Sequence, residues 1–542
     1  MKLKAIAILS LAAMIMPAWA FLSPPLSTTS TCRSSMKRYE RFGNPFSLLH
    51  SELPMSSTTS ESDADTQQIE YNWKNVWYPL TYENYIPTLK ESAEATPVSI
   101  FNEPLVLWRD ASNQLHCAND VCPHRSAALS EGRIRDGKLE CLYHGWQYSG
   151  EEDGACVTIP QLDEKATIPK QACLRMRKIR VEEGIIWVWM GDEDTETGPP
   201  LSGFNVGSKE FKDKGFISYD FQIDLPYDHS YLVENLLDPA HIPISHDRTQ
   251  GGGKREMAQA YDMEVDEESM SSSGFTGRYR NTRPRKDGKE NVWTETKFDA
   301  PGIIRYRTVN GKVSFCGDLH CIPLGLGRSR LLFRVYFAGL PKFAASFLGI
   351  KPLWLRNLGS CKILEEDVGL ITTQEDYFTR TGRNLSQDFL LLRTSDLFVG
   401  QYRKWLDSVG HGMPWFQGLS RSSVDVPTSR ATKHELQPGL DPMNHRASGF
   451  LETRLHRFVI HNPPARKALK RIKKLKKIAM ALTLASFATS LNSSFPTLLL
   501  QRFFSLVLPG FTSLTAFILH RLEQLFYVSH SRREKLRNLK GV

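Results

Sequence analysis

The sequence lacks the patterns of several common protein classes. Its nine cysteines in 542 residues form no evenly paired framework, which argues against a disulfide-rich secreted protein. No G-x-G-x-x-G loop follows a predicted strand, so the sequence predicts no dinucleotide site of its own. The formal net charge of +9 would fit nucleic-acid binding, but the densest basic run abuts an apolar tail. That placement favours a membrane surface over nucleic acid as the partner.

Two short motifs each pair one cysteine with one histidine. They are Cys122-Pro-His124 and Cys141-Leu-Tyr-His144. Two thiolates and two imidazoles are the ligand set of a Rieske [2Fe–2S] centre, in which two histidines replace two cysteines on one iron. A structural zinc site would use the same residue types, but zinc fingers usually place cysteine beside cysteine and histidine beside histidine. The alternating order therefore favours the iron–sulfur cluster.

A second set of metal-binding residue types follows further along the chain. Asn235, Asp238 and His241 lie three residues apart, a spacing that predicts one shared helix face. His246 lies five residues beyond His241, and the proline between them is expected to kink the helix so that both imidazoles reach one ion. Two histidines need one carboxylate to form the facial triad of a non-haem iron(II) oxygenase. The candidate is Asp367, in an acidic cluster that enters an apolar, helix-like run.

The N-terminal region has the composition of targeting segments. Residues 1–20 combine a charged start, a short apolar core and a small-x-small site, as in a signal peptide. Residues 21–66 are rich in Ser, Thr and Pro and contain no acid before Glu40, as in a transit peptide. Together the two segments resemble the bipartite plastid address of algae with secondary plastids. The alternatives are an N-terminal membrane anchor and a disordered secreted linker.

The C-terminal region joins a basic run to apolar segments. Residues 466–477 carry eight positive charges, residues 478–500 carry none, and a further apolar stretch follows Arg502. Basic flanks on both sides favour an even number of membrane spans. The pattern therefore predicts a membrane hairpin within 478–527, and an amphipathic anchor lying in the membrane plane is the alternative.

With their flanking sequence, these motifs make the chain resemble the Rieske non-haem iron oxygenases of the pheophorbide a oxygenase group. That group also contains chlorophyllide a oxygenase and the Rieske protein of the chloroplast import translocon. The matching stretches lie between about residues 70 and 440, at 72–80, 105–110, 122–125, 129–133, 141–146, 159–161, 238–246, 365–367, 393–396 and 413–415. The chain departs from the group at one point, since no cysteine follows Cys361 where plastid members commonly carry a C-x2-C pair.

The resemblance implies a role for each motif residue. The implied metal ligands are Cys122, His124, Cys141 and His144 for the [2Fe–2S] cluster, and His241, His246 and Asp367 for a mononuclear Fe(II). Asp238 matches the aspartate that bridges a cluster histidine of one subunit to an iron histidine of its neighbour, which implies a homotrimer. Asn235 is placed near the iron.

The resemblance also implies an α+β fold in successive domains. An antiparallel β Rieske domain is expected at 67–200, and an α+β catalytic domain with a large antiparallel sheet at 201–440. A basic linker at 441–477 would then lead to C-terminal membrane helices at 478–527.

The implied activity is insertion of oxygen from O2 into a chlorophyll-derived tetrapyrrole. Pheophorbide a is the leading substrate, and chlorophyllide or protochlorophyllide a is the alternative. Electrons would come from ferredoxin or a similar donor, because the chain has no dinucleotide loop of its own. The expected location is a plastid membrane, either the inner envelope or the thylakoid. A function of another class, that of a redox-sensing Rieske subunit of the plastid import machinery, remains open.

Overall fold

The computed structural model describes residues 71–528, except for 164, 192–197, 199–215, 250–253, 286–287, 289, 312, 341–350, 410–412, 415–416, 422–452, 493–502 and 504–506. The predicted signal peptide and transit-like segment lie outside the described residues.

The first part of the described chain consists of three small antiparallel sheets. One is β1 (Trp77–Tyr82), β10 (Ile185–Trp189) and β9 (Ile179–Glu182), and a second is β2 (Thr96–Ile100), β3 (Glu103–Arg109) and β4 (Leu115–Asn119). The third is β5 (Arg133–Arg135), β6 (Lys138–Glu140), β7 (Gln147–Tyr148) and β8 (Cys156–Thr158). Every side chain of β1 and β10 is buried, as expected for apolar, β-branched and aromatic runs at the centre of a β domain.

The second part is built on one antiparallel sheet with the strand order β11-β17-β16-β15-β14-β13-β12. The strands are β11 (Phe216–Leu225), β12 (Tyr261–Ser271), β13 (Gly274–Asn281), β14 (Thr294–Asp299), β15 (Ile303–Asn310), β16 (Val313–Gly325) and β17 (Arg328–Ala338). Its helices are α1 (His229–Leu237), α2 (Ile242–Ser245), α3 (Leu353–Thr381), α4 (Leu385–Asp388) and α5 (Leu397–Val409). This arrangement confirms the expected β domain followed by an α+β domain with a large antiparallel sheet.

Buried polar contacts join the two parts. Arg330 on β17 donates to both carboxylate oxygens of Asp224 on β11. It also donates, at 3.0 Å, to the carbonyl of Leu80 on β1, which belongs to the first part of the chain. Arg334, four residues further along β17, donates to the Glu183 carbonyl at 2.5 Å. Because unpaired buried guanidinium groups are costly, these contacts fix the small sheets against the large one.

The C-terminal part contains α6 (Arg454–Arg457), α7 (Pro463–Asn492) and α8 (Leu508–Gln524). The basic run, which belongs to the predicted linker at 441–477, lies in the first half of α7 and is helical. Helices α7 and α8 contact each other through a Lys476–Glu523 ion pair at 2.5 Å and a Thr483–Thr512 hydrogen bond at 2.8 Å. Within the described ranges, no helix combines the length and the apolarity needed to cross a membrane.

Candidate metal centres

The two Cys/His motifs adopt the same turn. The Cys122 carbonyl accepts from the backbone N–H of Ser126 at 2.9 Å, and the Cys141 carbonyl accepts from that of Gly145 at 2.8 Å. Ser126 and Gly145 both have a left-handed backbone, with φ of 57° and 74°. Each turn therefore holds one cysteine and one histidine, with His124 two residues after its cysteine and His144 three residues after its own.

The two cysteines and the two histidines of these turns differ in their exposure to solvent. Both sulfurs are buried, and the Tyr148 hydroxyl lies 3.2 Å from the Cys122 sulfur. Burial raises the pKa of the Cys141 thiol, and the adjacent Cys122 raises it further. The rings of His124 and His144 lie 4.4 Å apart, between centroids, on the more exposed side. Two neighbouring buried sulfurs beside two imidazoles fit a [2Fe–2S] cluster, which Cys122, Cys141, His124 and His144 would hold.

The second motif does not lie on one helix, and the expected shared face of Asn235, Asp238 and His241 is wrong. Helix α1 ends at Leu237, and Asp238 has an extended backbone. The physical reason is Pro239, because a residue before proline is disfavoured in the α conformation. A new one-turn helix, α2, follows with Pro243 in its first turn. His241 and His246 therefore lie directly before and after this short helix, and the expected proline kink within one longer helix is absent from this described stretch.

Even so, the structure brings the two histidines and Asp367 together. The Asp367 Oδ2 atom lies 3.1 Å from His246 Nε2 and 3.7 Å from His241 Nε2. One potential ligand atom from each residue lies within 4.8 Å of the other two. Asp367 is 2% exposed, and its Oδ2 atom accepts no hydrogen bond from the described residues. A buried carboxylate oxygen facing two imidazole nitrogens fits a metal ion bound by all three residues.

A further carboxylate, which the sequence reasoning assigned no role, supports His246 from behind. Glu366 Oε2 lies 3.1 Å from His246 Nδ1, and the Thr249 hydroxyl donates to Glu366 Oε1 at 2.8 Å. Burial alone would lower the pKa of His246, but Asp367 and Glu366 together raise it to about 9. The two carboxylates therefore favour positive charge at this centre. Contacts of this kind orient metal-binding imidazoles and increase their basicity.

Replacing Glu366 with Gln is expected to weaken iron binding at the mononuclear centre by about 10- to 100-fold. The amide keeps the size of the side chain but removes its charge and its orienting effect on His246. Iron affinity can be measured by back-titration after chelation, with the Rieske absorption bands as internal reference. The exposed Glu267 offers a matched control, and Glu267→Gln should leave the affinity unchanged. Equal affinity in Glu366→Gln and wild type would contradict the supporting role of Glu366.

Asp238 and Asn235 lie beside this centre. Asp238 Oδ2 lies 3.4 Å from His241 Nδ1, and its side chain is 23% exposed. Its other carboxylate oxygen accepts from the Ala240 backbone N–H at 2.6 Å, which holds the side chain in place. Asn235 lines the cavity onto which the three candidate iron ligands open. Asp238 thus contacts a candidate iron ligand on one side and the protein surface on the other.

A cavity of about 500 Å³ opens onto His241, His246 and Asp367. It lies between the large sheet and helices α1 and α3, and its volume is within the usual range for small-molecule sites. Much of its wall is aromatic, with Tyr219, Phe221, Tyr261, Tyr279, Tyr306, Phe315, Phe333 and Phe337. The cavity suits a large ligand with a flat, apolar body.

Comparison with known proteins agrees with both centres. The Rieske [2Fe-2S] domain family matches residues 76–173, and the pheophorbide a oxygenase family matches residues 298–384. Protein TIC 55 of Pisum sativum is 34% identical over 80% of this chain and 77% of its own length. Protein TIC 55 of Arabidopsis thaliana is 38% identical over 66% of this chain, which spans 64% of that relative. The pheophorbide a oxygenase of Oryza sativa is 29% identical over 71% of this chain and 73% of its own length.

These matches and the two ligand sets agree on one family. The chain belongs to the Rieske non-haem iron oxygenases of the pheophorbide a oxygenase and chlorophyllide a oxygenase group, whose cofactors are a Rieske [2Fe–2S] cluster and a mononuclear iron.

Proposed function

We propose that this protein inserts oxygen from O2 into a chlorophyll-derived tetrapyrrole, with pheophorbide a as the leading substrate and ferredoxin as the electron donor. The observation that carries the proposal is the aromatic cavity that opens directly onto His241, His246 and Asp367. A flat macrocycle matches such walls, because aromatic rings pack well against extended π-systems. Chlorophyllide and protochlorophyllide a share that shape and are the alternative substrates.

The residues around the cavity have separate tasks in this reaction. When bound, the cluster supplies single electrons and the mononuclear iron offers open positions for dioxygen. His241, His246 and Asp367 would hold the iron at the wall of the cavity, where the substrate would lie beside it. Glu366 keeps His246 in place, and the aromatic walls exclude water and orient the ring. Asn235 contributes a polar group to the same cavity.

Asp238 is the proposed link to the electron source. Its partly exposed carboxylate beside His241 is accessible to a cluster histidine of a neighbouring subunit. The exposed His124 provides a matching surface group on the other side of such a contact. We therefore extend the proposal to a homotrimer in which each iron receives electrons from the cluster of the next subunit.

The proposed site of action is a plastid membrane, the inner envelope or the thylakoid. The three relatives compared above are all named as chloroplastic proteins. Helices α7 and α8 expose large apolar side chains such as Leu484, Phe511 and Phe517 close to the basic run of α7. Exposed apolar side chains that follow a basic run along the same helix pair suit a position in the membrane interface.

A second function is favoured by one observation. The two TIC 55 relatives are more similar to this chain than the rice oxygenase is. The chain would then be a redox-sensing Rieske subunit of the plastid import machinery. Such a sensor needs neither a second metal centre nor a cavity beside it, so the geometry supports the enzyme.

The proposal can be tested by incubating the full-length protein with reduced ferredoxin, its reductase and a panel of chlorophyll derivatives. We expect label from isotopic dioxygen to appear in a product of pheophorbide a, and no product when ferredoxin is omitted. Mass spectrometry of the products identifies the substrate. Complete iron loading without oxygen consumption on any tetrapyrrole would contradict the proposal and favour the sensor.

A further inference from the structure

One buried amide of the cavity wall has a donor without an acceptor. Asn357 on α3 lines the cavity and is 4% exposed, and its amide nitrogen donates to no acceptor among the described residues. A buried donor that lacks an acceptor is costly, and buried polar groups in native proteins nearly always have a partner. The amide of Asn357 is therefore suited to an acceptor that a ligand brings into the cavity.

Ser360 places a hydroxyl beside this amide. It follows Asn357 by three residues in the same uninterrupted helix and lines the same cavity. Residues three apart are neighbours on one helix face. The amide N–H and the hydroxyl can both donate to one oxygen atom, because a carbonyl oxygen has two lone pairs. Both donors are neutral, so they match a neutral carbonyl group.

The sheet contributes an apolar wall to the same cavity. The alternate residues Leu331, Phe333, Val335 and Phe337 of β17 line it, and alternate residues of a strand share one face. In such surroundings a carbonyl group binds well only where a donor replaces its lost hydration. The two donors on α3 therefore determine which edge of a largely apolar ring system lies beside them.

These donors lie well away from the metal centre. Asn357 and Ser360 precede Asp367 by ten and seven residues in one helix, which corresponds to about 15 and 10 Å along its axis. A ligand that reaches both the donors and the metal must extend along much of the cavity, as a macrocycle does. The edge of the ligand that carries the acceptor then points away from the metal.

We propose that Asn357, assisted by Ser360, binds the ring ketone of the substrate and so selects tetrapyrroles that carry this ketone over analogues that lack it. The inference rests on the proposed function and deepens it. Chlorophyll-derived tetrapyrroles carry a ketone on a fifth ring that is fused to one edge of the macrocycle. Hydrogen bonds to that ketone orient the macrocycle, so that its opposite edge faces the metal centre.

The test is a binding titration of full-length protein, followed by quenching of chlorin fluorescence. The two ligands are pheophorbide a and the analogue in which a methylene group replaces the ring ketone. Wild type is expected to bind the ketone about 10-fold more tightly, the effect of one or two neutral hydrogen bonds. Asn357→Leu should bind both compounds as wild type binds the analogue. Ser360→Ala should lose part of the preference, and Ser360→Thr, which keeps the hydroxyl, should retain it.

Resonance Raman spectra of the bound pigment give a readout that a merely structural role would not move. A hydrogen-bonded ketone stretches at a lower frequency than a free one. Wild type should therefore show the ketone band shifted down, and Asn357→Leu should show it at or near the position of the free ketone. Because leucine replaces an unsatisfied buried donor by an apolar group of similar size, Asn357→Leu should fold at least as stably as wild type.

Asn310 at the end of β15 provides the control. It is exposed and does not line the cavity, so Asn310→Leu should retain both the preference for the ketone and the shifted band. Equal binding of the two compounds by wild type, or a ketone band that stays shifted in Asn357→Leu, would overturn the role of Asn357 while leaving the proposed function intact. Failure of wild type to bind either compound would overturn the proposed function itself.

Discussion

Replacing His241 with Ala is expected to abolish oxygen consumption while leaving the electron paramagnetic resonance signal of the Rieske cluster unchanged. The Nε2 atom of His241 lies 3.7 Å from Asp367 Oδ2, and ligand atoms of His241, His246 and Asp367 lie within 4.8 Å of one another. Without His241, the remaining two side chains cannot hold an iron in a facial triad. The cluster ligands lie in separate turns of the small β domain. Iron content should therefore fall from about three to about two atoms per chain, the number that the cluster alone requires.

His520 on α8 provides a control for this experiment. It is exposed and lies in the C-terminal helix pair, so His520→Ala should keep full iron content and activity. Loss of the cluster signal in His241→Ala would show that the assignment of His241 to the mononuclear centre is wrong. Unchanged turnover would remove it from the reaction.

Replacing Glu365 with Ala is expected to lower the free energy of unfolding by about 3–5 kcal/mol, the cost of breaking a buried ion pair by removing one partner. Glu365 precedes the Glu366–Asp367 pair on α3 and is 3% exposed. It accepts from Arg454 at 2.5 and 3.0 Å and from Arg457 at 3.2 Å. Without the carboxylate, two buried guanidinium groups lose their counter-charge. Denaturant unfolding of the detergent-solubilised protein would measure the change.

Glu91 and Lys467 form an exposed ion pair and supply the comparison. Their side chains are 50% and 64% exposed, so Glu91→Ala should lower the free energy of unfolding far less than Glu365→Ala, because solvent screens an exposed ion pair. Arg454 also donates to the Leu525 carbonyl just after α8 at 2.5 Å. Glu365→Ala should therefore also make the C-terminal helices more accessible to limited proteolysis. Equal unfolding free energies for the two variants would show that the Glu365 cluster does not hold this segment in place.

The cluster motifs were predictable from sequence because each one is contained in a single turn. Cys122 and His124 are two residues apart, and their turn is closed by local backbone hydrogen bonds. The second centre was predicted only in part. The spacing of Asn235, Asp238 and His241 suggested one helix, but Pro239 disfavours a helical backbone at Asp238, so α1 ends at Leu237 and the three residues share no helix face.

Contacts between distant parts of the chain could not be read from the sequence. His246 and Glu366 are 120 residues apart, and no local pattern distinguishes Glu366 from the adjacent Glu365, which binds two arginines instead. Which face of α3 each of these acids occupies depends on how the helix packs against the sheet. The cavity could not be predicted from the sequence for the same reason, because its wall combines residues of several strands with one face of a helix.

The continuity of α3 has a consequence for the mononuclear centre. Glu365, which binds Arg454 and Arg457 beside the C-terminal helices, and the candidate iron ligand Asp367 lie two residues apart on one uninterrupted helix. A displacement of the C-terminal helix pair is therefore transmitted to the metal ligand through a single rigid element. Detachment of that pair from the membrane or from the protein should lower the iron content of the centre together with the stability of the fold.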